Sequence, residues 1–123
     1  MSSFENQQVK LEIIDGILHA HYKSGLKITL QDAQGIVEER LKLLNGKILP
    51  TIVFDGGVVS MEKAARDYFS SVEGTKGIKC AAIIETSFFS KTLINFFMKL
   101  TNTKIPVKAF SNKNEALDWL KSV

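Results

Sequence analysis

Alternating apolar and polar residues near the start of the chain predict a β-hairpin. The segments 9–14 and 17–22 both show the period-two pattern of strands with one buried face. Asp15 and Gly16 separate them, and this pair is a strong hairpin signal because both turn positions favour a positive φ. A two-residue turn places Ile14 opposite Ile17, and in this register the apolar residues of both strands share one face.

Apolar residues at helical spacing predict four helices. They cover Leu30–Leu44, Met61 to about Val72, about Phe88 to Leu100, and the residues that follow Asn112. Thr29, Ser60 and Asn112 are N-cap residue types that precede three of these helices. Gly35 lies inside the first helix, where glycine costs about 1 kcal/mol relative to alanine, so we expect a close approach to the sheet there.

Unbroken apolar runs predict further strands that are covered on both faces. Ile48–Phe54 and Ile78–Ile84 lack alternation, which is typical of parallel strands between helices, and Val107–Phe110 is a short final strand. The order ββαβαβαβα predicts an α/β fold with a mixed, mainly parallel five-stranded sheet and about four helices. The length of 123 residues fits a single domain over 1–123.

Composition and charge limit the expected cellular location and the class of partner. Cys80 is the single cysteine, so an intrachain disulfide is excluded, and a reducing cytoplasm is the expected location. The polar start, Met1 to Gln8, lacks the apolar core of a signal peptide. Net charge is −2 up to Thr75 and +5 from Lys76 onward. This asymmetry indicates either an anionic partner or a lysine-rich solvated surface, and a total of +3 does not indicate nucleic acid.

Several short segments resemble one known family. They are Asp15-Gly16-Ile17-Leu18, Ile28-Thr29-Leu30, Glu39-Arg40-Leu41, Pro50-Thr51-Ile52-Val53-Phe54-Asp55, Ala65-Arg66-Asp67-Tyr68, Gly74-Thr75-Lys76-Gly77-Ile78-Lys79 and Asn112 to Leu120. With the order of elements, they resemble the STAS family, the anti-sigma-factor-antagonist fold, and most closely its short bacterial members. The resemblance covers nearly the whole chain and implies a STAS-like fold.

The STAS resemblance also implies a non-enzymatic module that binds proteins, small ligands or nucleotides. Some members are switched by phosphorylation of a serine at the start of the helix after the third strand. Asp55 matches the aspartate that ends this strand, but Ala64 and Ala65 stand where the serines are expected. Ser60 lies nearby and is the remaining candidate for phosphorylation, with helix capping as its simpler role.

Two groups of polar residues are candidates for chemistry. His19 and His21 share a strand face with Glu12, which is a ligand set that zinc accepts, or else a solvated hairpin face. Asp55 follows a strand, where it is either a phosphoacceptor or a turn residue that accepts local N–H groups. No nucleophile with a base and no metal cage is evident, so we expect no enzyme activity, no metal and no cofactor.

The third predicted helix has more apolar residues than one sheet can cover. Ile94 and Met98 fall on a flank beside the core stripe, and Phe88 falls near Lys91. Either another helix covers this flank or an apolar patch rimmed by lysines is exposed. The predicted partner-binding residues are Asp55, Ser60, Met61, Glu62, Phe88, Lys91, Ile94 and Met98.

The sequence therefore predicts a regulatory or scaffold module that binds a protein partner, with a second copy of the chain among the candidates. The alternative is a carrier of a small apolar or lipid-like ligand, held between the third helix and the sheet. An interior cavity with an opening would favour the carrier. A solid core with an exposed Ile94 and Met98 patch would favour protein binding.

Overall fold

The computed structural model describes residues 2–84 and 98–123. Its elements are β1 (Ser3–Glu5), β2 (Val9–Ile14), β3 (Ile17–Tyr22), β4 (Lys27–Ile28), α1 (Leu30–Leu44), β5 (Leu49–Asp55), β6 (Ser60–Met61), α2 (Lys63–Phe69), α3 (Val72–Thr75), β7 (Ile78–Ile84), β8 (Val107–Phe110) and α4 (Lys113–Ser122). Residues 98–100 are helical as well.

The main sheet is mixed and mainly parallel, as predicted. Its strand order is β1-β2-β3-β5-β7-β8. The first three strands are antiparallel, and β3, β5, β7 and β8 are parallel to one another. All five predicted strands are present, and β1 is a sixth that the sequence analysis missed. β1 pairs with β2 through Phe4 opposite Leu11, and Phe4 packs against the core.

The hairpin and the first helix form as the sequence predicts. Ile14 pairs with Ile17, and Asp15 and Gly16 have φ values of 51° and 76°. The Thr29 side chain accepts a hydrogen bond from the Asp32 amide and completes a capping box for α1. The expected close approach at Gly35 is wrong, because this glycine is exposed and a Cβ there would meet nothing within 4 Å.

The second helix begins later than predicted. Ser60 and Met61 form β6, which pairs in parallel with β4, so Ser60 is not the N-cap. Glu62 takes that position without a side-chain cap bond, and α2 ends at Phe69. Ser71 then caps the separate helix α3 by accepting a hydrogen bond from the Gly74 amide. The pairing of Ser60 with Lys27, 33 positions earlier in the chain, thus places Ser60 in a strand although its residue type favours a helix cap.

The connections distribute the helices between the two faces of the sheet. The parallel strands lie in chain order across the sheet, so right-handed crossovers place α1 and α2 on the same face. That face holds the larger core, which includes Leu11, Leu18, Ile36, Val37 and Phe69. On the opposite face, α4 buries Ala116 and Leu120 against Ile52, Cys80 and Ala82.

Candidate functional site

The segment between β5 and α2 is tied to the segment after β3 by backbone hydrogen bonds. The Gly56 amide donates to the Tyr22 carbonyl at 2.7 Å, and the Gly25 amide donates to the Gly57 carbonyl at 2.8 Å. The Val59 amide donates to the Leu26 carbonyl at 2.8 Å. A segment with this many bonds to its neighbour is held in one conformation, although only two of its residues are in a strand.

Asp55 closes the turn that begins this segment. Its Oδ1 atom accepts hydrogen bonds from the Gly57 and Val58 amides, each at 2.9 Å. This is the arrangement expected of an aspartate that stabilises a turn, and it gives the carboxylate a structural role. Of the two interpretations of Asp55, the geometry matches the turn residue.

Glu62 and Arg66 fix the end of the same segment. The Glu62 Oε1 atom accepts a hydrogen bond from the Leu30 amide at 2.6 Å, which joins the segment to the first turn of α1. The Arg66 Nη1 atom donates to the Met61 carbonyl at 2.5 Å. Both charged side chains therefore support the backbone of the segment.

The predicted binding residues of this segment differ in exposure. Met61 is 4% exposed and belongs to the core, so it is not available to a partner and its prediction as a surface residue is wrong. Ser60 is half-buried in β6, and its phosphorylation stays a prediction. Val59, which the sequence analysis did not select, is 56% exposed. Ser60 and Met61 differ in burial because successive residues of a strand point to opposite faces, and both lie in β6.

Helix α2 connects this segment to Met98. The Asp67 carboxylate pairs with the Lys63 ammonium at 3.1 Å and also with the Lys99 ammonium. These cations lower the pKa of the Asp67 carboxyl, the hydrogen bond from Lys99 being the larger cause. Met98, next to Lys99, is 61% exposed. We call Val59, Glu62, Lys63 and Met98 the carboxyl-end surface; it begins in the segment that follows the carboxyl end of β5 and continues along α2 to the Asp67–Lys99 ion pair beside Met98.

The predicted patch on the third helix contributes one described residue to this surface. Phe88, Lys91 and Ile94 lie outside the described residues. Met98 is the one predicted partner-binding residue of that helix in the part of the chain that the structure describes.

The histidine face of the hairpin is not a solvated surface. His19 is only 5% exposed, and His21 stacks on Phe54 with ring centroids 4.3 Å apart and planes at 5°. Burial lowers the pKa of both imidazoles; the Lys113 ammonium lowers that of His19 further, and the Glu12 carboxylate partly opposes the shift of His21. Glu12 lies opposite His19 as predicted, but no group of three metal-ligating side chains occurs in residues 2–84 and 98–123.

Arg40 is a buried cation that the sequence analysis placed only in the family resemblance. It is 6% exposed, and its Nη2 atom donates to the Gly74 and Lys76 carbonyls at 2.7 and 3.0 Å. Its Nε atom has no hydrogen-bond partner, and burial lowers the pKa of the guanidinium. Its position on the apolar side of α1 was the available signal, because it follows Ile36 and Val37 at helical spacing.

The apolar space beside Arg40 is small. Val53, Phe69, Ile83 and Leu100 are among the residues that line a cavity of about 50 Å³ between the helices and the sheet. This volume holds one or two water molecules. On the other face of the sheet, Cys80 is fully buried, and burial raises the pKa of its thiol.

Within residues 2–84 and 98–123, no helix has the length and apolar character needed to cross a bilayer.

The fold is similar to that of a solved protein. The crystal structure of an uncharacterised protein from the DUF3478 family of Shewanella loihica PV-4, which has a SpoIIAA-like fold, matches with a TM-score of 0.65 and 20% identity. The match covers 95% of this chain and 98% of the other. It supports the STAS-like fold that the sequence resemblance implies. No curated protein matches the chain. The model of the family described as domain of unknown function DUF7793 matches residues 11–123, and the chain therefore belongs to that family.

Proposed function

We propose that this protein is a non-catalytic binding module that recognises a protein partner through its carboxyl-end surface. The observation that carries the proposal is the fixed conformation of residues 56–62, which present an exposed Val59. A segment that is already ordered loses little conformational entropy on binding, so more of the contact energy contributes to affinity. SpoIIAA-like folds often serve as protein-interaction modules, which agrees with this role.

The state of the charged residues supports a binding role over a catalytic one. The carboxylates of Asp55 and Glu62 accept backbone hydrogen bonds, and that of Asp67 pairs with two lysines. Each carboxylate thus has a structural partner. A general base requires a carboxylate within hydrogen-bond reach of a substrate proton, and these three are engaged elsewhere.

The size of the cavity beside Arg40 argues against a lipid-like ligand carried at that position. A drug-sized ligand occupies a pocket of about 300 to 1,000 Å³. The cavity between α1, α2 and the sheet measures about 50 Å³. A lipid chain placed there would have to displace core side chains such as Phe69 and Ile83.

The test is a quantitative affinity capture from the native organism with two matched baits. Val59→Lys with Met98→Lys places two charges on the carboxyl-end surface, and Ile48→Lys places a charge on another exposed apolar residue, before the amino end of β5. We expect the double variant to lose specific partners that the wild-type protein and Ile48→Lys retain. Native circular dichroism of all three proteins establishes that they are folded.

Two results would contradict the proposal. Capture that is equal for the three proteins would mean that the carboxyl-end surface does not contact the partner. A co-purifying small molecule in native mass spectrometry, with no protein lost by the double variant, would favour the carrier. Sedimentation of the wild-type protein and the double variant tests whether the partner is a second copy of the chain. In that event the wild-type protein sediments as an oligomer and the double variant as a monomer.

A further inference from the structure

A second concave site lies on the other face of the sheet, between α4 and β3. It is a cleft of about 170 Å³. Ile17 and His19 contribute from β3, Lys113, Leu117 and Lys121 from α4, and Asp15 from the hairpin turn. The volume corresponds to about six water molecules, so the cleft has room for a small organic molecule.

His19 supplies to this cleft an imidazole that forms no hydrogen bond with the described part of the chain. Its side chain lines the cleft although the residue is 5% exposed. Its ring lies 6.2 Å from the Phe54 ring, and within the ranges that the structure describes its nitrogen atoms form no hydrogen bond. Among the described residues, Arg40 Nε is the fully buried side-chain nitrogen without a partner, and the His19 nitrogens are not of that kind, so the imidazole stays accessible to a small ligand in the cleft that it lines.

Positive charge accompanies this histidine. The Lys113 Nζ atom lies 5.6 Å from the centre of the Phe54 ring, and its charge acts on His19. Among the described residues, Lys113 and Lys121 form no salt bridge. Each ammonium group can therefore bind an anion without first breaking an ion pair.

We propose that this cleft binds a small organic oxyanion, a carboxylate or phosphate group on a short apolar body. The oxyanion lies between Lys113 and His19, where it accepts hydrogen bonds from the ammonium and the imidazole N–H. The apolar body lies on Ile17 and Leu117, which line the same cleft. This site is separate from the carboxyl-end surface, because α4 covers the face of the sheet opposite to α1 and α2.

The test is an NMR titration of the uniformly ¹⁵N-labelled protein with two probes, butyrate and inorganic phosphate. Chloride at the same ionic strength is the control for screening. Lys113→Gln and His19→Phe each remove one proposed contact, and His19→Phe retains a buried aromatic ring. Lys104→Gln removes the same charge from another exposed site, outside the cleft.

We expect saturable shifts of the Ile17, His19 and Leu117 amides with at least one probe and not with chloride. Saturation by butyrate alone identifies a carboxylate ligand, and saturation by phosphate alone identifies a phosphate group. Lys113→Gln and His19→Phe should each weaken binding about tenfold, while Lys104→Gln should leave it unchanged. Shifts that rise linearly with both probes, or that weaken equally in Lys104→Gln, would overturn the proposal.

Discussion

Replacement of Gly56 by alanine tests whether residues 56–62 are held as tightly as their hydrogen bonds indicate. A Cβ atom at this position would lie 2.1 Å from the Tyr22 carbonyl oxygen, which accepts the Gly56 amide at 2.7 Å. The obstructing atom belongs to the backbone at the end of β3, so a side-chain rotation cannot remove the clash. The segment must move away from Tyr22, and the hydrogen bond between them must break.

The cost of Gly56→Ala follows from these contacts. Loss of the Gly56 bond and of the adjacent bond from Gly25 to Gly57 costs about 1 kcal/mol each. Accommodation of a methyl group in a packed site adds about 1 to 3 kcal/mol. We therefore expect a loss of about 3 to 5 kcal/mol in the free energy of unfolding. For 123 residues, each kcal/mol lowers Tm by about 4 °C.

Urea unfolding followed by circular dichroism measures this loss, and Gly35→Ala is the matched control. The control places the same methyl group in an exposed part of α1 where it meets nothing within 4 Å. We expect Gly35→Ala to stabilise the protein by about 0.5 to 1 kcal/mol, because alanine lowers the entropy of the unfolded chain. A Gly56→Ala protein within about 0.5 kcal/mol of the wild type would show that residues 56–62 are not held tightly against Tyr22.

Three further predictions follow from individual side chains. Burial lowers the folded-state pKa of His19 and His21, so below the unfolded-state histidine pKa of about 6.5 the unfolded chain binds more protons than the folded protein. In urea melts, the stability of the wild-type protein should therefore be complete above that pH and decline as the pH falls below it. The decline should be smaller in His19→Phe. Asp55→Ala should lose about 1 to 3 kcal/mol in the same melts and Asp55→Asn less, since asparagine retains a turn acceptor; equal losses would count against the turn role. In Tyr68→Phe the remaining tyrosine is Tyr22, and burial raises its pKa to about 12. Absorbance near 295 nm should therefore show ionisation at a pH of about 12, and ionisation near 10 would contradict this.

The hairpin, α1 and β7 were predicted correctly because several local sequence features agreed at each of them. The hairpin register follows from the Asp15-Gly16 turn and the matching alternation on both sides. The limits of α1 follow from the Thr29 cap and from Asn45, which has a φ of 49° at the C-cap. β7 has the predicted limits because its unbroken apolar run lies between two parallel strands.

The features that were missed depend on contacts between distant parts of the chain. Ser60 has the residue type of a helix cap, but its pairing with Lys27 places it in a strand. β1 has three residues, too few for an alternating pattern to stand out. The burial of His19 depends on α4, about 100 residues later, which packs across the same face of the sheet. No local pattern around His19 contains that information.

Amide hydrogen exchange of the protein bound to its captured partner tests the docking surface most directly. If the carboxyl-end surface binds the partner, the amides of residues 56–63 and 98–100 exchange more slowly in the complex, and those of the hairpin turn at 14–17 are unchanged. Slower exchange at 14–17 or elsewhere, with residues 56–63 and 98–100 as fast as in the free protein, would mean that the partner binds at another surface.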